Sequence, residues 1–507
     1  MRGSKTIRIL KRKGIRFALA YRIRKEKYQT NLLILYSLFF QLNSPHKLHI
    51  YKILKRFHIL NIYTPTLIFI AKYYEEIISW TESIEFKTKY LDTHHPYPPM
   101  LNPKRLNRDS NSPYPSLSYE SISPKIAWDL NLPLPREYDS IWLYNSGSGG
   151  EAVQTFFHLC GVEFYTICWR VNEYKSAFLY LYKSYLQGKK VIFSLNNWQE
   201  GAEKFASLLD KKVPIFCIAR DPISRLKTGV NHLTGESWNV DSFRHLTLKS
   251  KICFPPMYYR GALNTKPDIN IITESSHFTL MPNEFGSITT RLNWLKNATS
   301  EVIFLPIDEI SGKKTFETFV KLSHKLHFNP PTNPQIFEGK INRYEGLLML
   351  PCVLSADTKE NNENVLEAEV KVIITTQQLT PNTDKALVDV TLFFNIKMPQ
   401  DNVILYSSKE DFAILKANAL LCSHTKTYLQ GYMNALEKYM HNIKAHLISE
   451  KDILAYFVEN PSIAFAFAKQ IQKDMTYIKQ HRPDIIESWK YFKEFERLNI
   501  FLRLNLS

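Results

Sequence analysis

Two short stretches of the chain hold the residue types that anion chemistry needs. Residues 145–150 read Asn-Ser-Gly-Ser-Gly-Gly, and Glu151 follows directly. A loop of small residues at a strand-to-helix junction exposes consecutive backbone N–H groups and the positive end of the helix dipole, which suits a phosphate or sulfate. The loop lacks the Gly-Lys-Ser/Thr ending of a Walker A sequence, and Gly and Ser also make ordinary tight turns. The second stretch, residues 220–228, reads Arg-Asp-Pro-Ile-Ser-Arg-Leu-Lys-Thr. Arg220 ends an apolar run, Pro222 suits the first turn of a helix, and Thr228 follows two turns in. A planar guanidinium fork and a hydroxyl so placed can grip one phosphate between them. The plainer reading is a helix cap, with Asp221 holding the first turn while Arg225 and Lys227 face water, and it leaves Arg220 unexplained.

Transfer to an acceptor hydroxyl would also need a base. Glu151 at the mouth of the loop and His232 one turn beyond Thr228 are the catalytic candidates, with His158 behind them. Their ordinary alternatives are a favourable charge at a helix start for Glu151, a surface residue for His232 and a boundary residue for His158.

The elements that must position these residues follow a regular pattern. Apolar runs at 140–144, 190–195, 213–219 and 301–306 predict buried strands, and helical patterns at 151–160, 198–209 and 314–326 lie between and after them. Strands alternating with helices predict a parallel, doubly covered sheet of α/β class. From residue 361 the pattern changes: 366–375 and 387–396 predict an antiparallel pair around a turn-rich segment, and beyond Lys409 the chain reads as helical. Seven of the 26 prolines fall between His95 and Pro124, a linker or an extended wrapping segment. The predicted division is a basic helical arm at 1–90, a proline-rich linker at 91–125, a donor-binding domain at 126–350 and a β-hairpin and helical module at 351–507.

In order and content the central elements resemble the sulfotransferase fold, which is related to the P-loop folds. Its members carry a loop of the form Pro-Lys-Ser/Thr-Gly-Ser/Thr-Thr and a later Arg-Asp/Asn-Pro-x-x-Arg-x-x-Ser, matched here by residues 144–149 and 220–228. EVIFLPIDEI at 301–310, with HFNPP at 327–331, is similar to the family's late strand and closing segment. The resemblance covers about residues 138–332 and implies a three-layer parallel sheet of sulfotransferase type. It also implies that Asn145, Ser146, Gly147, Ser148, Gly149 and Gly150 cradle the phosphate next to the transferred group. Arg220 and Thr228 would bind the ribose phosphate of a phosphoadenosine phosphosulfate-like or other activated nucleotide donor. Asn145 stands where the family has a lysine; losing that cation removes transition-state stabilisation unless Arg225 or Lys227 supplies it. A second resemblance, carried by AWDLNLPLP at 127–135, the glycine-rich loop and KVIITT at 371–376, is to a domain family of unknown function in Campylobacter and Helicobacter relatives. Some of its members are described as sugar transferases or capsule-biosynthesis proteins, which implies a cell-surface glycan as acceptor.

Composition sets the remaining bounds. The chain has 507 residues, so two to four domains are expected. Its six cysteines show no paired spacing, against a disulfide framework or a zinc site and in keeping with a reducing cytoplasm. Residues 1–60 hold fifteen Lys or Arg against one acid, Glu26, so the basic character of the protein belongs to its N-terminal arm. Residues 7–24 read either as an amphipathic helix on an anionic membrane surface or as one packed on the body. The apolar run at 31–42 is too short to span a bilayer, and no nucleic-acid module accompanies the charge. No metal is predicted; the Asp-x-Asp of many glycosyltransferases is missing, and Asp308-Glu309 is a weak substitute. The expected function is a transferase that modifies a surface polysaccharide or its precursor. The alternatives are a nucleotide-sugar glycosyltransferase and an inactive binding or scaffold protein. The segment 233–299 is expected to help form the acceptor site or to be a surface excursion.

Overall fold

In the computed structural model, residues 47–57, 64–106, 117–167, 173–196, 201–260, 265–274, 287–338, 345–357, 369–379 and 386–506 are described. The basic stretch 7–24 and the apolar run 31–42 lie outside them. Among the described residues no helix is long and apolar enough to cross a membrane.

The described strands are β1 (Ile141–Leu143), β2 (Glu163–Ile167), β3 (Val191–Leu195), β4 (Val213–Ala219), β5 (His245–Thr247), β6 (Thr299–Pro306), β7 (Cys352–Asp357), β8 (Glu369–Thr376), β9 (Leu387–Asp389) and β10 (Val403–Ser408). They make two sheets. The first is parallel, in the order β2-β3-β1-β4-β6, which bears out the α/β expectation. β1, β3 and β4 are apolar runs, as burial on both faces demands, and β3 is buried at every position. After β1 the chain runs to β2 on one side of the sheet, and after β4 it goes towards the other, where β6 lies. The crevice beyond the carboxyl ends of β1 and β4 is therefore a topological switch point, where open α/β sheets place their ligands.

The chain divides into two interleaved units. Residues 1–141, 165–215 and 291–301 form the first, and 142–164, 216–290 and 302–507 the second. In the first unit the described parts of the proline-rich stretch, 95–106 and 117–124, are packed against the rest: Met100, Leu101, Leu106, Leu117, Tyr119 and Ile122 are buried. The stretch at 127–135 is core, and Asp129 inside it accepts from Thr66 at 2.8 Å and faces Lys175 at 3.6 Å. Arg291, fully buried, donates to the carbonyls of Leu195 and Asn196 at 2.7 and 2.8 Å, which fixes the end of β3.

In the second unit the second sheet has the order β5-β7-β8-β10-β9. This corrects the expected hairpin. β8 does not pair with β9, because β10 lies between them and pairs antiparallel with both. The predicted strand at 387–396 stops at Asp389, whose carboxylate accepts from the Thr391 N–H at 2.8 Å and starts a short helix at Thr391–Phe394. The segment after Leu233 is not a surface excursion in its first part. Leu233, Val240, Leu246, Met257 and Tyr259 are buried in the core of this sheet, and β5 pairs parallel with β7.

The helices that build the site all belong to this unit. They are α1 (Gly150–Leu159), α2 (Pro222–Val230), α3 (Thr315–Leu326), α4 (Ala419–His446), α5 (Glu450–Glu459), α6 (Pro461–Asp474), α7 (Thr476–His481), α8 (Pro483–Ser488) and α9 (Lys490–Leu506). The expectation that the chain beyond Lys409 is helical holds, with α4 to α9 forming most of it.

Candidate functional site

The glycine-rich loop joins β1 to α1 on an aromatic base. Trp142 of β1 is fully buried, stacked on Phe216 at 4.7 Å and edge-on to Phe157 at 5.3 Å. Beyond it the backbone turns through two left-handed residues, Gly147 at φ 77° and Gly149 at φ 96°. At both, a side chain would be strained by the backbone conformation. A Cβ on Gly147 would lie 3.2 Å from the Arg225 carbonyl and 3.3 Å from the Thr228 Cβ, and one on Gly149 would lie 2.7 Å from the Ile307 Cδ1. These contacts show what the loop packs on: α2 on one side, and the turn after β6 on the other. The three stretches singled out in the sequence thus meet at one place.

Arg220 leaves the end of β4 and donates from Nη1 to the Gly147 carbonyl. It clamps the loop from the far side of the crevice, with burial pushing its pKa down and the carboxylates of Glu450 and Asp221 working against that. Thr228 Oγ1 donates to the Ser224 carbonyl at 3.2 Å, one turn back in α2, and its Cβ faces Gly147. Ser146 Oγ is buried and meets no hydrogen-bond partner among the described residues. An orphaned hydroxyl in a loop of glycines is the kind of group a ligand oxygen satisfies.

The cap on α2 is as expected and does more than expected. Asp221 Oδ1 accepts from the N–H groups of Ile223 and Ser224 at 2.8 and 3.4 Å. Its Oδ2 accepts from those of Tyr491 and Phe492 at 3.0 Å each, at the start of α9. Burial raises the Asp221 pKa against the pull of these backbone donors.

The two cations offered as substitutes for the missing loop lysine are each paired with a carboxylate. Arg225 is buried, and its Nη1 lies 3.5 Å from Asp474 Oδ2. Lys227 lies 2.7 Å from Glu450 Oε1, which also accepts from Ser224 Oγ at 2.9 Å. Burial opposes ionisation of Glu450, but the Lys227 ammonium and its other donors outweigh it and hold the carboxyl below its usual value. Asn145, at the lysine's position, donates from Nδ2 to Asp474 Oδ2 at 3.1 Å. Asp474 and Glu450 were not foreseen; each lies more than two hundred residues from its partner, and neither has a local pattern that marks it.

His232 follows α2. Its Nδ1 lies 2.7 Å from the Leu233 carbonyl, which can only accept, so Nδ1 carries the proton and Nε2 is the basic nitrogen of the neutral ring. Burial lowers its pKa first, and the Arg260 charge adds to that, while Glu151 works the other way. Glu151 is exposed in the first turn of α1. Arg260, pushed down to about 10 by burial, is a cation near His232 that the sequence did not announce. His158 accepts the Phe164 N–H at 3.4 Å and belongs to the start of β2. Because the folded-state pKa of His232 lies below the unfolded one, the unfolded chain binds the extra proton. The contribution is present above about pH 6.5 and is lost as pH falls through the folded value. Urea midpoints of wild type should therefore drop more steeply than those of His232→Gln between pH 7.5 and 5; parallel curves would deny the ring its buried, neutral state.

The crevice between loop and α2 is narrowed by the C-terminal helices. Asn145, Ser148, Arg220 and Arg225 line it together with Ile471, Asp474, Met475, Tyr477, Ile478 and Trp489. The water-accessible space between them is about 40 Å³, room for about two or three waters and not for a nucleotide. The residues present fit a phosphate, in glycine-rich backbone, Arg220, Arg225 and Ser146, but a cavity of this volume does not fit the rest of a donor.

A family model matches part of this chain. Its description is Protein of unknown function (DUF2972), and it spans residues 304–500. The match holds the turn after β6, Glu450, Asp474 and most of α9, whereas the loop and Arg220 precede it. No curated protein and no solved structure gives a match.

Proposed function

We propose that the chain is a group transferase that holds the phosphate of an activated nucleotide donor at the switch point between β1 and β4. The observation that carries this reading is the Arg220 guanidinium, just after β4, closed on the Gly147 carbonyl, which ties the loop to the β4–α2 corner and supports reading the two together as an anion-binding wall. The three-layer sulfotransferase arrangement belongs to the same reading, and the strand order supports it. Gly147, Ser148 and Gly149 would hold the donor phosphate, and Arg220 would orient it. His232, neutral with Nε2 basic, would accept the acceptor's proton, with Glu151 beside it. The resemblances noted in the sequence extend this to a surface polysaccharide or its precursor as acceptor, with the enzyme in the cytoplasm or at an anionic membrane surface through residues 1–60.

A second reading, a scaffold without chemistry, is favoured by one observation: Asp474 places a carboxylate against Asn145 and Arg225, where an anion would bind. A thermal-shift screen of adenosine bisphosphate, cytidine nucleotides and nucleotide sugars separates the two. A ligand at a hundred times its Kd should add about 2.7 kcal/mol of stability. Adenosine bisphosphate alone would point to sulfuryl transfer, and a cytidine nucleotide to a phosphate-like group. A flat response at millimolar concentration of every compound would leave the scaffold standing.

A further inference from the structure

We propose that residues 461–489 form a strap over the donor pocket, and that Asp474 in its middle stands in for the ligand's phosphate until the ligand displaces it. The proposal rests on the donor-pocket reading above and adds to it how that pocket is opened.

The strap is tied down at both ends to one helix. Before it, Glu450 accepts from Lys227 and Ser224 of α2, and Asn231 just after that helix exchanges hydrogen bonds with Ile448, at 2.8 and 3.0 Å. After it, Asp221 caps α9 at Tyr491 and Phe492. Between these anchors the chain is a series of short pieces, α6, α7 and α8, broken at Met475, Arg482 and Trp489. Breaks of this kind let a segment swing in parts while its ends stay fixed.

Asp474, at the first break, reaches three separate elements. One carboxylate oxygen accepts from Asn145 in the loop and faces Arg225 of α2, and the other accepts from the Ile288 N–H at 2.8 Å. These are the contacts of a bound anion, made by the chain itself. Asp474 and a phosphate cannot both take Arg225, since two anions in one buried site repel. The apolar side chains of Ile471, Met475, Tyr477 and Ile478 line the crevice beside the carboxylate. The loop asparagine gains a purpose as well: its amide donates to the strap without adding a third cation to Arg220 and Arg225.

The test compares wild type, Asp474→Asn and Arg220→Ala, with inorganic pyrophosphate and adenosine bisphosphate as probes in titration calorimetry. Asp474→Asn keeps an oxygen for the Ile288 N–H and removes the competing charge, so it should bind pyrophosphate at least tenfold more tightly than wild type. Because that variant leaves Arg225 buried without its carboxylate and could fold poorly, wild-type hydrogen exchange is the second readout. Saturating ligand should speed exchange at 471–489 while the loop and α2 gain protection. If wild type binds in an Arg220-dependent way but Asp474→Asn binds no tighter, the strap proposal is overturned and the donor pocket stands. Unchanged exchange at 471–489 in ligand-bound wild type overturns it equally, since Asp474 would then act only through its charge. Failure of all three proteins to bind removes the pocket reading and the strap with it.

Discussion

On the proposed donor-pocket reading, Arg220→Ala should raise the Kd for adenosine bisphosphate by about a hundredfold, or about 2.7 kcal/mol, while the protein stays folded. Two losses combine. The guanidinium is the cation at the carboxyl end of β4, and a charge-assisted hydrogen bond to phosphate is stronger than a neutral one. It also donates to the Gly147 carbonyl, so its removal frees the loop that supplies the other half of the pocket. The cost to stability should be smaller, about 1 kcal/mol for one lost hydrogen bond, because the partly exposed side chain is not part of the apolar core. Arg220→Lys restores the charge without the planar fork and should recover part of the affinity. Calorimetry with pyrophosphate and with adenosine bisphosphate measures all three proteins. Equal Kd values for wild type and Arg220→Ala would remove Arg220 from any binding role and leave it as a loop clamp.

How much of this could be read from the chain depends on where each part of the information lies. Four strands of the first sheet were legible because they carry unbroken apolar runs, and 213–219 is matched residue for residue; β2 was missed, because Glu163 and Thr166 break its run and only Phe164 and Ile167 are buried. The second sheet was not. β5 is three residues long and joins β7 from a hundred residues away, while β9 and β10 are separated by a short helix inside what reads as one strand. Strand order in a sheet built from distant segments is set by which segments arrive, and the local pattern is silent about that. The site divides in the same way. A glycine-rich loop and an Arg-Asp-Pro corner announce themselves because each is a local backbone problem solved by local residue types. Asp474 and Glu450 look like solvated helix ends, and only the fold shows that each faces a cation of α2. The plain reading of Arg225 and Lys227 as merely solvated failed for the same reason.

Asp221 is where the local and the distant parts of the site meet, and its removal should destabilise the protein by roughly 3–5 kcal/mol. A single N-cap is worth about 1 kcal/mol, and a buried backbone donor left without a partner costs about 1–3 kcal/mol more. Asp221 is 7% exposed and accepts from four backbone N–H groups, two on α2 and two on α9, so one substitution uncaps two helices. Asp221→Ala should therefore lower the urea midpoint with little change in slope, and Asp221→Asn should lose about half as much. The amide keeps one oxygen for one pair of donors and turns an NH2 group towards the other pair. Native-state hydrogen exchange adds a directional check. The amides of Tyr491 and Phe492 should open before those of β4, because α9 is held to the pocket wall by that carboxylate, whereas β4 is held by its sheet. A midpoint shift under 1 kcal/mol, or uniform exchange across α9 and β4, would mean that α9 is anchored by its apolar face and that Asp221 caps α2 alone.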